Sequence, residues 1–274
     1  MPPLFDQGDL ILRTADAVQY HVWSKILTVA SPFFRDLFNL PQPKDQDGIP
    51  VVDVSEDSTV IVELLHIIYP VKCQPMTNVE LIRKVLGAAL KYDVSLAVQE
   101  ICGLLATRHS SSGEDALRTY AITCHYKIEE EARLAAKATL QFPIIDVYVE
   151  ELEPISAGDL SRLLQYRQAA FSVIEPLFHE WITNEFPRAI FGGKCSPCVD
   201  DIWKEFSLRA KAALREAPHS ETICNIRFMT PVYQSKKANS YCSHNVHDQW
   251  TSIHEYLKTE IDRRIDTVEL SVRF

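Results

Sequence analysis

The chain is poor in glycine. Only eight occur in 274 residues, and the sole adjacent pair is Gly192-Gly193. No G-x-G-x-x-G and no G-x-x-x-x-G-K is present, so a nucleotide cradle that relies on close backbone approach is excluded. A G-x-S-x-G elbow and an H-E-x-x-H pair are also missing, which removes two common hydrolase signatures. No apolar run reaches the length of a membrane span. The opening Met1-Pro2-Pro3-Leu4-Phe5-Asp6 lacks a basic stretch followed by an apolar one, and so does not read as a secretory signal. Positive charge is scarce as well. Net charge is −9, and even the most basic third, residues 193–274, carries 12 basic against 11 acidic residues. That balance gives no electrostatic footprint for a phosphate backbone, so nucleic acid is not the expected partner.

Cysteine is present in an odd number, seven, with no disulfide-type spacing. An intracellular protein of the cytoplasm or nucleus with free thiols is expected. Cys195-Ser196-Pro197-Cys198 places two thiols on one turn, stiffened by Pro197. A tetrahedral zinc site would need two more ligands, and Cys242 and His244 lie downstream in a polar stretch, with His247 and Cys224 as further options. Free thiols are the alternative reading. No βαβ pattern surrounds the pair, which argues against a redox role.

What the sequence does have is a patterned N-terminal stretch. Asp9-Leu10-Ile11-Leu12-Arg13 and Val18-Gln19-Tyr20-His21-Val22 read as two strands joined by a turn at 14–17. Ser24 is the expected cap of a helix with Ile26, Leu27, Val29 and Ala30 as its apolar positions. Ser31 and Pro32 open a second short helix with Phe33, Phe34, Leu37 and Phe38 on its face. Ile49 to Val54 returns as a strand. Ser55, or Ser58, should cap the helix that carries Val60, Ile61, Leu64, Leu65, Ile67 and Ile68 and stops at Tyr69-Pro70. Helices over 79–90 and 94–105 follow, and Ser110-Ser111-Ser112-Gly113 is the clearest linker.

Taken in order, the hairpin, Ser31-Pro32-Phe33-Phe34 with Phe38, Leu64-Leu65 to Tyr69-Pro70, and Ala88-Ala89-Leu90-Lys91-Tyr92-Asp93 resemble a BTB/POZ domain. Ala30-Ser31-Pro32-Phe33-Phe34, Leu40-Pro41-Gln42-Pro43 and Val54-Ser55-Glu56-Asp57-Ser58 resemble the variants abundant in basidiomycete fungi. The resemblance implies an α+β fold, a small sheet flanked by helices, used for protein–protein interaction rather than catalysis. It further implies pairing of the chain with itself or another BTB protein, with Leu10, Leu12, Trp23, Ile26, Leu27, Phe33, Phe34 and Phe38 as interface residues. A cullin-type ubiquitin ligase is an implied partner of such adaptors. Two departures stand out. Trp23 and Ser24 occupy the places where the family usually has a His-Lys pair, so the indole is expected to pack the hairpin-to-helix corner. Leu40-Pro41-Gln42 lacks the glutamate that cullin-binding members often carry there.

The rest reads as all-α. The expected division is a tail at 1–8, the BTB/POZ domain at 9–109, stacked helical hairpins at 114–192, and a helical region with the Cys/His cluster at 193–274. Leu90-Lys91-Tyr92-Asp93-Val94 and Cys124-His125-Tyr126-Lys127-Ile128 form a weak echo 34 residues apart. Two function classes follow: an interaction module with a helical partner-binding surface, for example a ubiquitin-ligase adaptor, or a BTB-type transcription regulator whose C-terminal region is organised by zinc.

Overall fold

The computed structural model describes residues 5–69, 71, 75–179, 196–225, 227–228 and 246–271, with backbone alone at 196–202 and 246–252. The chain forms two compact units, Met1–Leu105 and Ala106–Phe274. No helix among the described residues is long and apolar enough to cross a membrane.

The first unit is built on three strands, β1 (Leu10–Arg13), β2 (Gln19–Val22) and β3 (Val51–Asp53), in the order β2-β1-β3. β1 runs antiparallel to β2, with Leu10 opposite Val22, and parallel to β3, with Arg13 opposite Asp53. The Arg13 guanidinium binds both Asp53 oxygens at 2.5 and 2.8 Å and so marks the register. At Gly8 a Cβ would come within 2.1 Å of the Val22 carbonyl oxygen, so only glycine lets the chain enter the sheet there. The segment expected to be a free tail also joins the unit. His21 donates its backbone N–H to the Phe5 carbonyl at 3.0 Å, and the buried Phe5 ring packs edge-on against Tyr20 and Tyr69.

Among the described residues the unit carries five helices: α1 (Ser24–Ala30), α2 (Pro32–Leu37), α3 (Ser58–Ile68), α4 (Val79–Lys91) and α5 (Ser95–Arg108), the last crossing the boundary between units. Ser31 caps α2 as its sequence predicts, accepting from the Phe34 N–H at 3.0 Å, with Pro32 in the first turn. Its hydroxyl also donates to the Tyr92 carbonyl at 2.5 Å, and the residue is fully buried. The expected caps of α1 and α3 are corrected. Trp23, not Ser24, is the residue before α1, and neither Ser55 nor Ser58 accepts a capping bond at α3. Instead carboxylates from distant turns reach in. Asp9 accepts from the Ser24 N–H and hydroxyl at 2.6 and 2.8 Å. Asp16 accepts from the Ser58 N–H and hydroxyl at 2.9 and 2.6 Å. The orphan amides of a first turn accept either solution.

The second unit carries α6 (Gly113–His125), α7 (Glu129–Thr139), a 3₁₀ turn at Glu150–Leu152, α8 (Ala157–Ile174), α9 (Ser196–Glu216), α10 (Ser220–Ile223) and α11 (Val246–Ile265). α6 and α7 form a helical hairpin, and one apolar core runs from Leu117 and Leu163 through Phe178 and Phe206 to Leu257 and Ile261. Ser156 and Asp159 make a reciprocal capping box at α8. Within the core, the buried Arg167 guanidinium donates to the carbonyls of Thr139, Phe142 and Glu216. Those acceptors lie at or just beyond the ends of α7 and α9, so one side chain satisfies carbonyls that helices leave unpaired. Burial brings its pKa down to about 10, still charged at neutral pH.

The sequence echo is a repeated helix ending. Tyr92 closes α4 and Tyr126 closes α6. Each is followed by a residue with positive φ, Asp93 at 49° and Lys127 at 58°. The next amide returns to the helix, Val94 to the Ala89 carbonyl at 2.8 Å and Ile128 to the Thr123 carbonyl at 2.9 Å.

Two outcomes test these ties. Ser31→Ala removes a cap and strands the buried Tyr92 carbonyl, and should lower the unfolding free energy in urea by about 1–3 kcal/mol. The Ser58 hydroxyl, with help from Thr14, holds the Asp16 carboxyl down to about 2. A carboxylate whose folded pKa lies below its unfolded value stabilises above that unfolded value and loses the effect as pH falls towards the folded one. The melting-temperature gap between wild type and Asp16→Ala should therefore be constant above about pH 4 and close between about pH 4 and 2.

Candidate functional site: an apolar face on the first helix

α1 has seven residues, and of these Leu27 alone is buried. The opposite side is left outward. Val29 is 89% exposed, Trp23 is 49% exposed at the helix entry, and Ile26 is half-buried. Ile26, Val29 and Ala30 form one wall of an open groove of about 590 Å³, whose other walls are Ile68 at the end of α3 and Val94 and Leu96 at the start of α5. Leu96 is 50% exposed. Among the described residues Lys25 is the one charged residue lining it. Apolar surface of this kind is a candidate contact site.

The face is held rigid from below. Burial alone would raise the Asp9 carboxyl, but the bonds from the Ser24 backbone and hydroxyl and the nearby Lys25 charge outweigh it and hold it below its ordinary value. Trp23 donates its backbone N–H to the Tyr69 hydroxyl at 2.8 Å. At the other end the Ser31 N–H returns to the Leu27 carbonyl at 2.9 Å.

Beyond Ser31 the aromatic residues of α2 gather on Tyr92. Phe34 stacks on it with ring centroids 5.3 Å apart, Phe33 meets it edge-on at 5.3 Å, and Phe38 stacks behind Phe34 at 5.8 Å. The Tyr92 hydroxyl and Lys91 both bind Glu56. Burial works to raise the Glu56 carboxyl, and the bonds from Lys91 and Tyr92 overcome it, leaving the group below its ordinary value.

The eight sequence-derived interface residues therefore divide. Leu10 and Leu12 lie in the central strand, Leu27 on the inward side of α1 and Phe34 in the aromatic stack, all buried within a single copy. Their surface is spent on the domain's own core. Trp23 and Phe33 are exposed, and Ile26 and Phe38 are half-buried. The indole stands half exposed, and the Tyr69 hydroxyl and Asp9 tie the backbone of that turn. Val29 and Leu96 belong to the face, and Val29 was read from sequence as an apolar helix position. Val29 had a usable signal, its three-residue step from Ile26; Leu96 had none, because its exposure depends on where α5 starts.

Of the residues of the zinc reading, Cys195, Cys242 and His244 lie outside the described residues, and Cys198 is described only as backbone in the first turn of α9. Among the described residues no cluster of three or more His, Cys, Asp or Glu is placed to hold a metal.

Comparison with known proteins agrees with the geometry. The family model of the BTB/POZ domain matches residues 3–109. The chain has no match among the curated proteins. A three-stranded sheet flanked by helices, an ordered run of motifs and that family match together make residues 3–109 a BTB/POZ domain, a fold whose general role is protein–protein interaction.

Proposed function

We propose that the chain is a non-enzymatic interaction protein that homodimerises through the α1 face of its BTB/POZ domain and offers its helical unit, residues 106–274, to a further partner. The observation that carries this reading is the pairing of an 89% exposed Val29 with an apolar groove on the same face. A surface of this kind costs water-ordering free energy in a lone copy and regains it on association. Its low charge is also what distinguishes the centre of an interface from its rim.

The test is light scattering after size exclusion on the full chain at micromolar concentration. Wild type should run as a dimer. Val29→Asp places a carboxylate where the contact excludes water, and should weaken association about a hundredfold or more. Because Val29 touches so little of its own copy, the substitution should change stability by no more than about 0.5 kcal/mol. A wild type that stays monomeric would sink the reading.

The ubiquitin-ligase adaptor role is a second reading, supported by Leu40, which stands 60% exposed on the turn after α2. Its neighbour Gln42 turns its amide back onto the Leu37 and Leu40 carbonyls at 2.9 and 3.1 Å and braces that turn. A cullin pull-down should succeed with wild type and lose most of its signal with Leu40→Asp. No enrichment over a control bait would count against the adaptor role.

A further inference from the structure

We propose that the second unit holds a site for an organic cation, an ammonium or guanidinium group on an aliphatic stem, in a cavity between the last turns of α7 and α11, with Asp262 as its counter-ion. The site lies in a different unit from the α1 face and goes beyond the interaction reading. Lys137, Leu140, His219, Asp262, Ile265 and Asp266 line a space of about 270 Å³. Pockets for drug-sized ligands run to about 300–1,000 Å³, so this one suits a single side chain or a small amine. Leu140 and Ile265 are buried and give apolar walls for a stem.

The charge around this space is unbalanced. Asp262 and Asp266 stand in and just past the last turn of α11, and Lys137 in the last turn of α7. A helix C-terminus carries the negative end of its dipole, where carboxylates are disfavoured and cations are stabilised. Asp266 is compensated, since Lys137 donates to it at 2.6 Å. Asp262 is not. It is half-buried, and no hydrogen bond or ion pair reaches its carboxylate among the described residues. Lys258, one turn earlier, bonds to Glu221 instead. His219 does not supply the missing cation either. Its Nδ1 accepts from the Glu221 N–H at 3.2 Å, so the neutral ring carries its proton on Nε2. Burial pushes the imidazole below its ordinary value; Lys258 and Lys137 act in the same direction, and together they outweigh Asp262 and Glu221. With that ring neutral at pH 7, two carboxylates face one lysine. A half-buried carboxylate left without a partner is a local cost that no contact of the fold offsets. Such departures gather at functional sites. A metal ion is not the fit, because among the described residues no cluster of three or more His, Cys, Asp or Glu is placed to hold one. A cation that brings its own stem uses both the carboxylate and the apolar walls.

Ligand-observed NMR titration of the full chain at pH 7 and fixed ionic strength tests the site, with a thermal melt confirming that each variant is folded. n-Pentylammonium should bind about tenfold or more tightly than neutral n-pentanol. Asp262→Asn keeps the shape and removes the charge, and should weaken n-pentylammonium by about the same factor. Asp146→Asn, at an exposed carboxylate on the loop after α7, should leave binding within about twofold. Lys137→Met frees Asp266 and should tighten binding. Lysine blocked as its N-acetyl amide separates the sources. Binding as tight as that of n-pentylammonium supports the site as one for a lysine side chain of a partner, and binding of n-pentylammonium alone supports it as one for a free amine. If neither cation binds, if n-pentanol binds as well as n-pentylammonium, or if Asp262→Asn behaves like Asp146→Asn, the cation site is wrong. None of these outcomes depends on whether the chain runs as a dimer, so the α1 reading stands or falls separately.

Discussion

The hydroxyl of Ser31 is the point on which the first unit depends. It is fully buried, so each of its hydrogen-bonding groups must find protein. It accepts from the Phe34 amide and donates to the Tyr92 carbonyl. One atom thus starts α2, ends α4, and fixes the distance between them. The consequences spread outward. Because α4 ends there, the Tyr92 ring lies flat on Phe34, and the aromatic stack closes the same corner that the hydroxyl pins. Because α2 starts there, α1 must stop at Ala30, and its outer stripe is presented beside the start of α5. The outward face of α1 is a result of where a buried serine can be satisfied.

The helix endings show the same economy on a larger scale. α4 and α6 both end on tyrosine followed by a left-handed residue, and neither uses glycine. An L-residue in that conformation carries a steric cost, which the returning amide bonds, and at the first ending the burial of Val94, offset. A chain with eight glycines has few to place at helix ends. The echo in the sequence is therefore not decisive evidence for a repeat architecture. It is the trace of one capping solution used twice, at places where the helix must turn sharply into the next.

This explains what could be read from the sequence and what could not. Strand and helix order, the Ser31-Pro32 start and the helices over 79–90 and 94–105 were legible because each depends on residues within four positions of one another. The ends of α1 and α3 were not, because Asp9 and Asp16 act across 15 and 42 residues. A serine near a helix start looks like a cap whether its oxygen accepts from the backbone or its N–H is being served by something else. The candidate face was half legible for a related reason. Apolar spacing finds a helix face but does not say which face is inward, so Leu27 and Ile26 looked alike. The side is decided by the tertiary packing of the unit, which buries Leu27 and leaves Ile26 half-buried.

A seven-residue helix has no stability of its own, since nucleation costs more than so few bonds return. α1 nevertheless exposes nearly all of Val29 and half of Trp23, with Leu27 its single buried residue. Such a segment would fray unless its ends were held. They are held: by Asp9 and the Tyr69 hydroxyl at the start, and by the Ser31 amide at the end. These ties contribute little apolar burial, so their effect is mainly to remove conformational freedom before any contact is made. Ordering an interface segment on binding takes a toll on affinity, and a segment ordered beforehand is spared it. The polar bonds beneath α1 and the bare apolar face above it are thus two halves of one arrangement, in which an exposed apolar side is held in a fixed shape.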